Sequence, residues 1–179
     1  MEDRGLETFL TLILAGAAPE LARAHDELYP ERVPEAIPLS LTLLYPFAPR
    51  ADVEDFVPEV RSFFGSREPF VFELTHVAQW EGGGAVYGVP EPEEELRAMM
   101  RALWERFPAF PPYGKPGNDP PPHASLTLDG GSDPALTLAH VEDRLAGLLP
   151  ARFQIDEVAL MEEYEPDRCR VRETFPLGG

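Results

Sequence analysis

Two short stretches decide the fold: Pro38-Leu39-Ser40-Leu41-Thr42-Leu43 and Pro122-His123-Ala124-Ser125-Leu126-Thr127. Each follows a proline and sets two polar residues, two positions apart, in an otherwise apolar run. Because side chains alternate between the faces of a β-strand, the two polar residues of each stretch share one face. Polar groups on such a face are costly unless they find partners or line a cleft. Since the stretches stand about half the chain apart, we predict two similar lobes that each contribute one strand to a shared groove.

The residues around these stretches predict an α+β fold. Apolar spacing and flanking Gly and Pro predict hairpins as well as helix–strand alternation. The predicted strands cover residues 6–15, 39–47, 70–80, 85–89, 123–128, 152–164 and 168–176, and the predicted helices cover 19–29, 52–64, 92–106 and 136–149. We therefore expect two pseudo-symmetric lobes, each an antiparallel sheet flanked by helices, with a groove between them. Residues 1–179 are expected to form this single bilobal domain.

The charge of the chain limits its partners. Fifteen Lys and Arg against 32 Asp and Glu give a formal net charge of −17. Nucleic-acid affinity comes largely from basic side chains that neutralise phosphates. Long RNA or DNA bound non-specifically is therefore not expected, whereas a small phosphorylated ligand in a locally basic pocket is compatible with this charge.

Cysteine and hydropathy patterns predict a cytoplasmic protein. Cys169 is the only cysteine, so neither an intramolecular disulfide nor a CxxC metal site is available. The apolar run 9–18 is too short for a membrane span and lacks a preceding basic segment. Histidines at i, i+4 spacing are missing from the sequence, so we expect no metal and no cofactor. A monomer without membrane contact is our expectation.

The two stretches and their flanks resemble one family. Ser40–Phe47 is similar to the first His-x-Thr/Ser motif of the 2H phosphoesterases, the 2'-5' RNA ligase superfamily, with serine in place of the histidine. His123-Ala124-Ser125-Leu126 resembles the second motif intact. Phe110–Gly114 and the closing Phe175–Gly178 also resemble family segments, in the family's order. The resemblance spans nearly the whole chain.

The resemblance implies metal-free cleavage of a 2',3'-cyclic or related phosphodiester on a small nucleotide or RNA end. In the family, one histidine takes a proton from water and the other protonates the leaving oxygen, while two hydroxyls hold phosphate oxygens. Carried over, His123 is an acid or base, Thr42 and Ser125 are phosphate holders, and Ser40 occupies the other acid/base position. We expect an enzyme of the hydrolase type; ligation does not follow from the family name.

Ser40 cannot replace a catalytic histidine by itself, because a serine hydroxyl does not titrate near neutral pH. Losing one general acid or base typically costs about 10²–10⁴ in rate. Three alternatives stay open: an engineered replacement, a lineage that kept binding but lost catalysis, or compensation by another group such as His76. The expected activity is weak, and the competing interpretation is a non-catalytic nucleotide-binding module on the same fold.

Three further residues are candidates for substrate binding. Tyr113 lies in the proline-rich segment before the second motif and is suited to stack on a base. Lys115, the only lysine, follows it and can meet a phosphate. Arg170 alternates with Arg168 and Arg172 along the last predicted strand, where the three arginines would either line the groove or pair with acidic residues.

Overall fold

The computed structural model describes residues 6–28, 36–127 and 137–178, which form an α+β fold with two four-stranded antiparallel sheets. The strands are β1 Thr8–Ile13, β2 Ser40–Leu44, β3 Phe70–Gln79, β4 Val86–Glu91, β5 Ala124–Ser125, β6 Ala151–Ile155, β7 Glu157–Glu165 and β8 Arg168–Pro176. The helices in these ranges are α1 Pro19–Glu27, α2 Val57–Gly65, α3 Glu94–Arg106 and α4 Leu138–Arg144. This architecture confirms the predicted fold class.

The two sheets are not built from successive halves of the chain. The strand order is β2-β1-β7-β8 in the first sheet and β5-β4-β3-β6 in the second. The last two strands therefore return to the sheet that β1 and β2 began, and β3 and β4 belong to the second sheet although they come from the first half of the sequence. The repeated strand–helix order within each half did not anticipate this exchange.

The single strand predicted over 152–164 is wrong, because that segment divides between the two sheets. Phe153 and Ile155 are buried in β6, after which the buried positions become Val158 and Leu160 in β7. The inward positions thus shift from odd to even numbers at Asp156. A strand that keeps one register cannot do this, since its side chains alternate strictly.

Two other predicted elements are shorter than expected. The segment after Asp52 forms a 3₁₀ turn before α2, and the Asp52 side chain makes no capping hydrogen bond. β5 pairs with β4 only through Ala124 and Ser125. The strand ends there because the next two amides, of Leu126 and Thr127, both donate to the carbonyl of Val86. The predicted ends at 128 and 136 lie outside the described residues.

Helix α3 connects the two sheets. It follows β4 of the second sheet in sequence but packs on β2 of the first. Its apolar stripe of Leu96, Met99, Met100 and Leu103 is buried, as the i, i+3, i+4, i+7 spacing predicts. On the same helix, the indole Nε1 of Trp104 donates to the carbonyl oxygen of Leu43 at 2.9 Å. The position of β2 relative to the second sheet is therefore fixed by packing and by a hydrogen bond.

Candidate functional site

The two sequence stretches lie side by side where the sheets meet. β2 is the edge strand of the first sheet and β5 is the edge strand of the second, and the two strands contact each other. Ser40 and Thr42 stand on β2, whereas His123 directly precedes β5 and Ser125 ends it. This is the juxtaposition that the duplicated strand pattern predicts.

The face of the first sheet that carries Ser40 and Thr42 combines hydroxyl and apolar side chains. In the strand register Ser40 is opposite Ile13, and Thr42 is opposite Thr11, which in turn is opposite Ala159. This face bears a small cluster separate from the main core, composed of Phe9, Ala159 and Met161 with Tyr45 and Cys169 packed against it. Burial raises the pKa of the Cys169 thiol to about 11, so the thiol stays protonated at neutral pH.

A continuous row of rings leads from this face to the second sheet. The centroids of Phe9 and Tyr45 are 5.9 Å apart, and those of Tyr45 and Tyr113 are 6.3 Å apart. The Tyr113 ring stacks on His123 at 6.3 Å. The imidazole in turn meets Trp80 edge-on at 5.0 Å and Tyr87 at 5.7 Å. Both sheets therefore border one site, which we call the inter-sheet site, with His123 at its centre.

The hydrogen bonds of His123 define its tautomer. Its Nδ1 lies 2.8 Å from the carbonyl oxygen of Pro121, and a carbonyl only accepts, so Nδ1 carries the proton. In the neutral ring Nε2 is then the acceptor. The hydroxyl of Tyr113 lies 3.2 Å from Nε2 and donates to it. The fixed Nδ1–H leaves Nε2 as the ring atom with an available lone pair.

Burial keeps this imidazole neutral. His123 is 6% exposed, and desolvation lowers its pKa, while the hydrogen bond to Pro121 acts in the opposite direction with a smaller effect. A low-dielectric environment disfavours the charged form of histidine. At neutral pH the residue is therefore ready to accept a proton at Nε2 and not to donate one.

The loop before the second motif holds Tyr113 in an unusual conformation. The residue sits in the 3₁₀ turn Pro112–Gly114 with φ +55°, in the left-handed region that non-glycine residues seldom adopt. Its amide donates to the carbonyl of Tyr45 at 2.6 Å, which ties the loop to the end of β2. Tyr113 is 40% exposed, yet desolvation raises the pKa of its phenol. The sequence suggested a stacking side chain; the contact of its hydroxyl with His123 was not foreseen.

The three hydroxyls on the contacting edge strands β2 and β5 are available to a ligand. Ser40 is 7% exposed, Thr42 is half-buried and Ser125 is exposed. Within the described residues none of these hydroxyls hydrogen-bonds to another protein group. Every fully buried side-chain oxygen or nitrogen in that part of the chain has a partner, so the Ser40 hydroxyl still reaches solvent.

The basic candidates separate into two groups. Lys115 is exposed in the loop beside Tyr113 and forms no ion pair with any described residue. Arg170 is not brought to the inter-sheet site, because its Nη2 lies 2.6 Å from Glu162 Oε1. Glu162 is opposite Thr8 in the register, so this ion pair is on the other face of the sheet from Thr42. Of the two alternatives that the sequence left open for Arg170, the structure shows pairing with an acidic residue.

Two aromatic neighbours of His123 were missed in the sequence. His76 lies on the same face of the second sheet as one of them, Tyr87, since His76 is opposite Val89 and Ala78 is opposite Tyr87 in the strand register. Trp80 and Tyr87 stack on each other at 4.4 Å beside the imidazole. Alternation along 85–89 puts Tyr87 on the face opposite Val86, but the sequence gives no indication that β5 lies beside β4. His76 is exposed on β3, and its Nδ1 lies 2.8 Å from the hydroxyl of Thr75.

Replacing Tyr113 by phenylalanine is expected to raise the pKa of His123. The hydroxyl donates only to the neutral imidazole, and such a hydrogen bond contributes about 0.5–1.5 kcal/mol. An NMR titration of the ring protons of His123 measures the change, with the exposed His140 as an internal reference. An unchanged or lower pKa of His123 in Tyr113→Phe would contradict the assigned donor direction.

The described residues contain neither a metal cluster nor a bilayer-spanning helix. No group of three His, Cys, Asp or Glu side chains converges as potential metal ligands within 6–28, 36–127 and 137–178. The helices in the same ranges are too short or too polar to cross a membrane. These findings describe that part of the chain alone.

The two antiparallel sheets thus meet at edge strands that carry hydroxyl side chains and lead to the buried His123. The model of the 2'-5' RNA ligase superfamily matches residues 10–167, and the chain belongs to that superfamily. This confirms the resemblance seen in the sequence. A search of curated proteins finds no match.

Solved structures show the same fold. TT0787 of Thermus thermophilus superposes with a TM-score of 0.62 at 22% identity, covering 97% of this chain and 98% of that one. LigT of E. coli in complex with NADP+ gives a TM-score of 0.61 at 15% identity, covering 98% and 99%. Usb1 of Kluyveromyces marxianus gives 0.50 at 14%, covering 97% and 98%. At these identities the likeness concerns the fold.

Proposed function

We propose that the chain is a metal-independent phosphodiesterase that acts on a small nucleotide or an RNA end bearing a 2',3'-cyclic or 2'-5' phosphodiester. The observation that supports this most directly is the fixed tautomer of His123, whose Nε2 lone pair lies in the inter-sheet site. A neutral imidazole in this state is suited to general-base catalysis. Membership of the superfamily supports the reaction class.

The neighbouring side chains suit a phosphate bound next to His123. Thr42 and Ser125 have hydroxyls free to donate to non-bridging oxygens, whose charge grows in the transition state. Lys115 lies in the loop next to Tyr113 and supplies a positive charge without a competing carboxylate among the described residues. We place Tyr113 and Lys115 with the ligand, and we leave out Arg170 because Glu162 holds it elsewhere.

A small ligand fits the site better than a long nucleic acid. The net charge is −17, and the arginines of β8 pair with acidic residues instead of lining the site. LigT has been crystallised with NADP+, with 3'-AMP and with ATP, all of which are small nucleotides. The inter-sheet site is proposed to take a ligand of that size.

Ser40 limits the proposed activity and supports a second candidate function. A serine at the second acid/base position leaves His123 as the one titrating group we place in the reaction, so turnover is expected to be slow. The hydroxyl of Tyr113 also occupies Nε2. Both observations are equally compatible with a non-catalytic module that binds nucleotides in the same site.

The proposal is tested by hydrolysis of 2',3'-cyclic AMP in the presence of a chelator. We expect slow formation of a phosphomonoester, and a further loss of about 10²–10⁴ in kcat/KM for His123→Ala. Binding of 3'-AMP is measured in parallel by calorimetry, so that a loss of chemistry is separated from a loss of the site.

The matched control is His140→Ala, which removes an exposed histidine on α4 and should leave hydrolysis unchanged. His76→Ala examines compensation, and a large loss there would assign the second role to His76. Binding of 3'-AMP without turnover would favour the non-catalytic module. The absence of both 3'-AMP binding and turnover would contradict both functions.

A further inference from the structure

We propose that the inter-sheet site is selective for phosphodiesters whose leaving group departs as a stable anion, such as an aryloxide. This inference rests on the proposed function and names the substrate class of the same site. It follows from the unequal chemistry of the site. His123 offers a proton acceptor, whereas the hydroxyls of the site offer no suitable proton donor to a leaving oxygen.

The acceptor is defined by the contacts of His123. Because Nδ1–H is committed to the Pro121 carbonyl, the neutral ring offers only the lone pair of Nε2. A water molecule that replaces the Tyr113 hydroxyl at Nε2 would be oriented by the same lone pair. His123 therefore serves as the base that activates water.

The hydroxyls that border the site do not supply the donor, and Lys115 is assigned to the charge of the phosphate. The hydroxyls of Ser40, Thr42 and Ser125 are far too weak as acids near neutral pH. The Tyr113 phenol is a poor donor as well, because desolvation raises its pKa and its proton already points at Nε2. An alkoxide leaving group would consequently have to depart without a proton.

The lining of the site favours an aromatic leaving group for a separate reason. Trp80 and Tyr87, both partly exposed, flank His123 on the second sheet, whereas Phe9 and Met161 on the first sheet are buried and offer no free surface. Flat apolar rings gain stabilisation by stacking on side chains such as Trp80 and Tyr87.

The proposed step is balanced without a general acid. The water oxygen attacks phosphorus as Nε2 of His123 takes one of the water protons. The bond from phosphorus to the leaving oxygen breaks, and its electron pair leaves with the aryloxide anion. The products are a phosphomonoester and the aryloxide, after which His123 returns its proton to solvent. Thr42 and Ser125 hold the non-bridging oxygens throughout.

Two esters of nearly equal shape test this selectivity. Thymidine 5'-(4-nitrophenyl) phosphate releases a stable phenolate, whereas thymidine 5'-(4-nitrobenzyl) phosphate must release an alkoxide. We compare kcat/KM for both esters in the unaltered chain and in Ser40→His, which supplies a titrating group at the position of the missing acid. We expect the substitution to accelerate the benzyl ester about 10²–10⁴-fold more than the phenyl ester.

Each outcome has a distinct meaning. An equal effect of Ser40→His on both esters, with hydrolysis still dependent on His123, would overturn the selectivity while the proposed phosphodiesterase stands. Hydrolysis of neither ester by either form, together with no binding of 3'-AMP, would contradict the proposed function itself. If Ser40→His fails to fold, as judged by circular dichroism, Ser40→Asn and Ser40→Asp replace it. Only the aspartate variant should then accelerate the benzyl ester more than the phenyl ester.

Discussion

Replacing Ser40 by histidine is expected to accelerate hydrolysis of 2',3'-cyclic AMP by about 10²–10⁴-fold. Opening the cyclic phosphate expels a ribose oxygen, which benefits from a proton in the transition state. Ser40 stands on the edge strand that contacts the strand following His123, so a histidine there adds the second titrating group on the opposite side of the site. Steady-state kcat/KM in the presence of a chelator measures the gain.

The pH profile should change its shape with the same substitution. In the unaltered chain the rate rises with pH as His123 loses its proton and then levels off, starting below the usual range for histidine because burial lowers its pKa. With a histidine at position 40 acting as the acid, the rate should fall again at higher pH as that group deprotonates. A bell-shaped curve in the unaltered chain, or none in Ser40→His, would contradict these roles.

Glu162→Gln is expected to lower the free energy of unfolding by about 3 kcal/mol. The Glu162 carboxylate is 3% exposed and sits among Arg50, Arg170 and Arg172. Its Oε1 accepts from Arg170 Nε at 2.7 Å, and Arg172 Nη1 donates to Oε2. Removing the negative charge leaves Arg50 and Arg170 without this carboxylate, whereas Arg172 keeps its pair with Glu54. That pair and the partial solvent exposure of all three arginines keep the loss at the lower end of that known for buried ion pairs. Urea unfolding at pH 7 measures it.

The effect of Glu162 should disappear in acid. Burial pushes the pKa of this carboxyl up, but the hydrogen bonds and charges of Arg170 and Arg172 outweigh burial and leave it below its usual value. A depressed pKa stabilises the fold above the unfolded value and loses this contribution as the pH falls through the folded one. Glu165→Gln is the control. It removes an exposed ion pair in which Glu165 Oε2 lies 3.6 Å from Arg168 Nε, and it should change the free energy of unfolding little. Equal losses for both variants would contradict a special role for the cluster.

The sequence predicted the strands of the site better than the contacts within it. Alternation in the two stretches placed Ser40 with Thr42 and His123 with Ser125, because period-two spacing is a local property of the chain. The neighbours of His123 depend on strand order, which is not local. Trp80 and Tyr87 reach the imidazole only because β5 pairs with β4 and β4 with β3.

The arginines of β8 are a second case in which local alternation did not predict the contacts. Alternation places Arg168, Arg170 and Arg172 in line, but it does not state which face of the sheet they occupy or whether a bulge interrupts them. The structure has a register shift between Leu160 and Met161 of β7, opposite this segment, and a buried Glu162 that attracts two of the arginines. Glu162, eight residues before Arg170, therefore determines where these two arginines lie. The composition alone did not single out this carboxylate.

The exchange of strands between the sheets has a consequence for biosynthesis. The second sheet is formed by β3 to β6, all of which are synthesised before β7 and β8. The first sheet cannot be completed until β7 and β8 have been synthesised, because β7 lies between β1 and β8. All strands of the sheet that carries the imidazole are thus synthesised before the sheet that carries the hydroxyls of β2 has its last two strands.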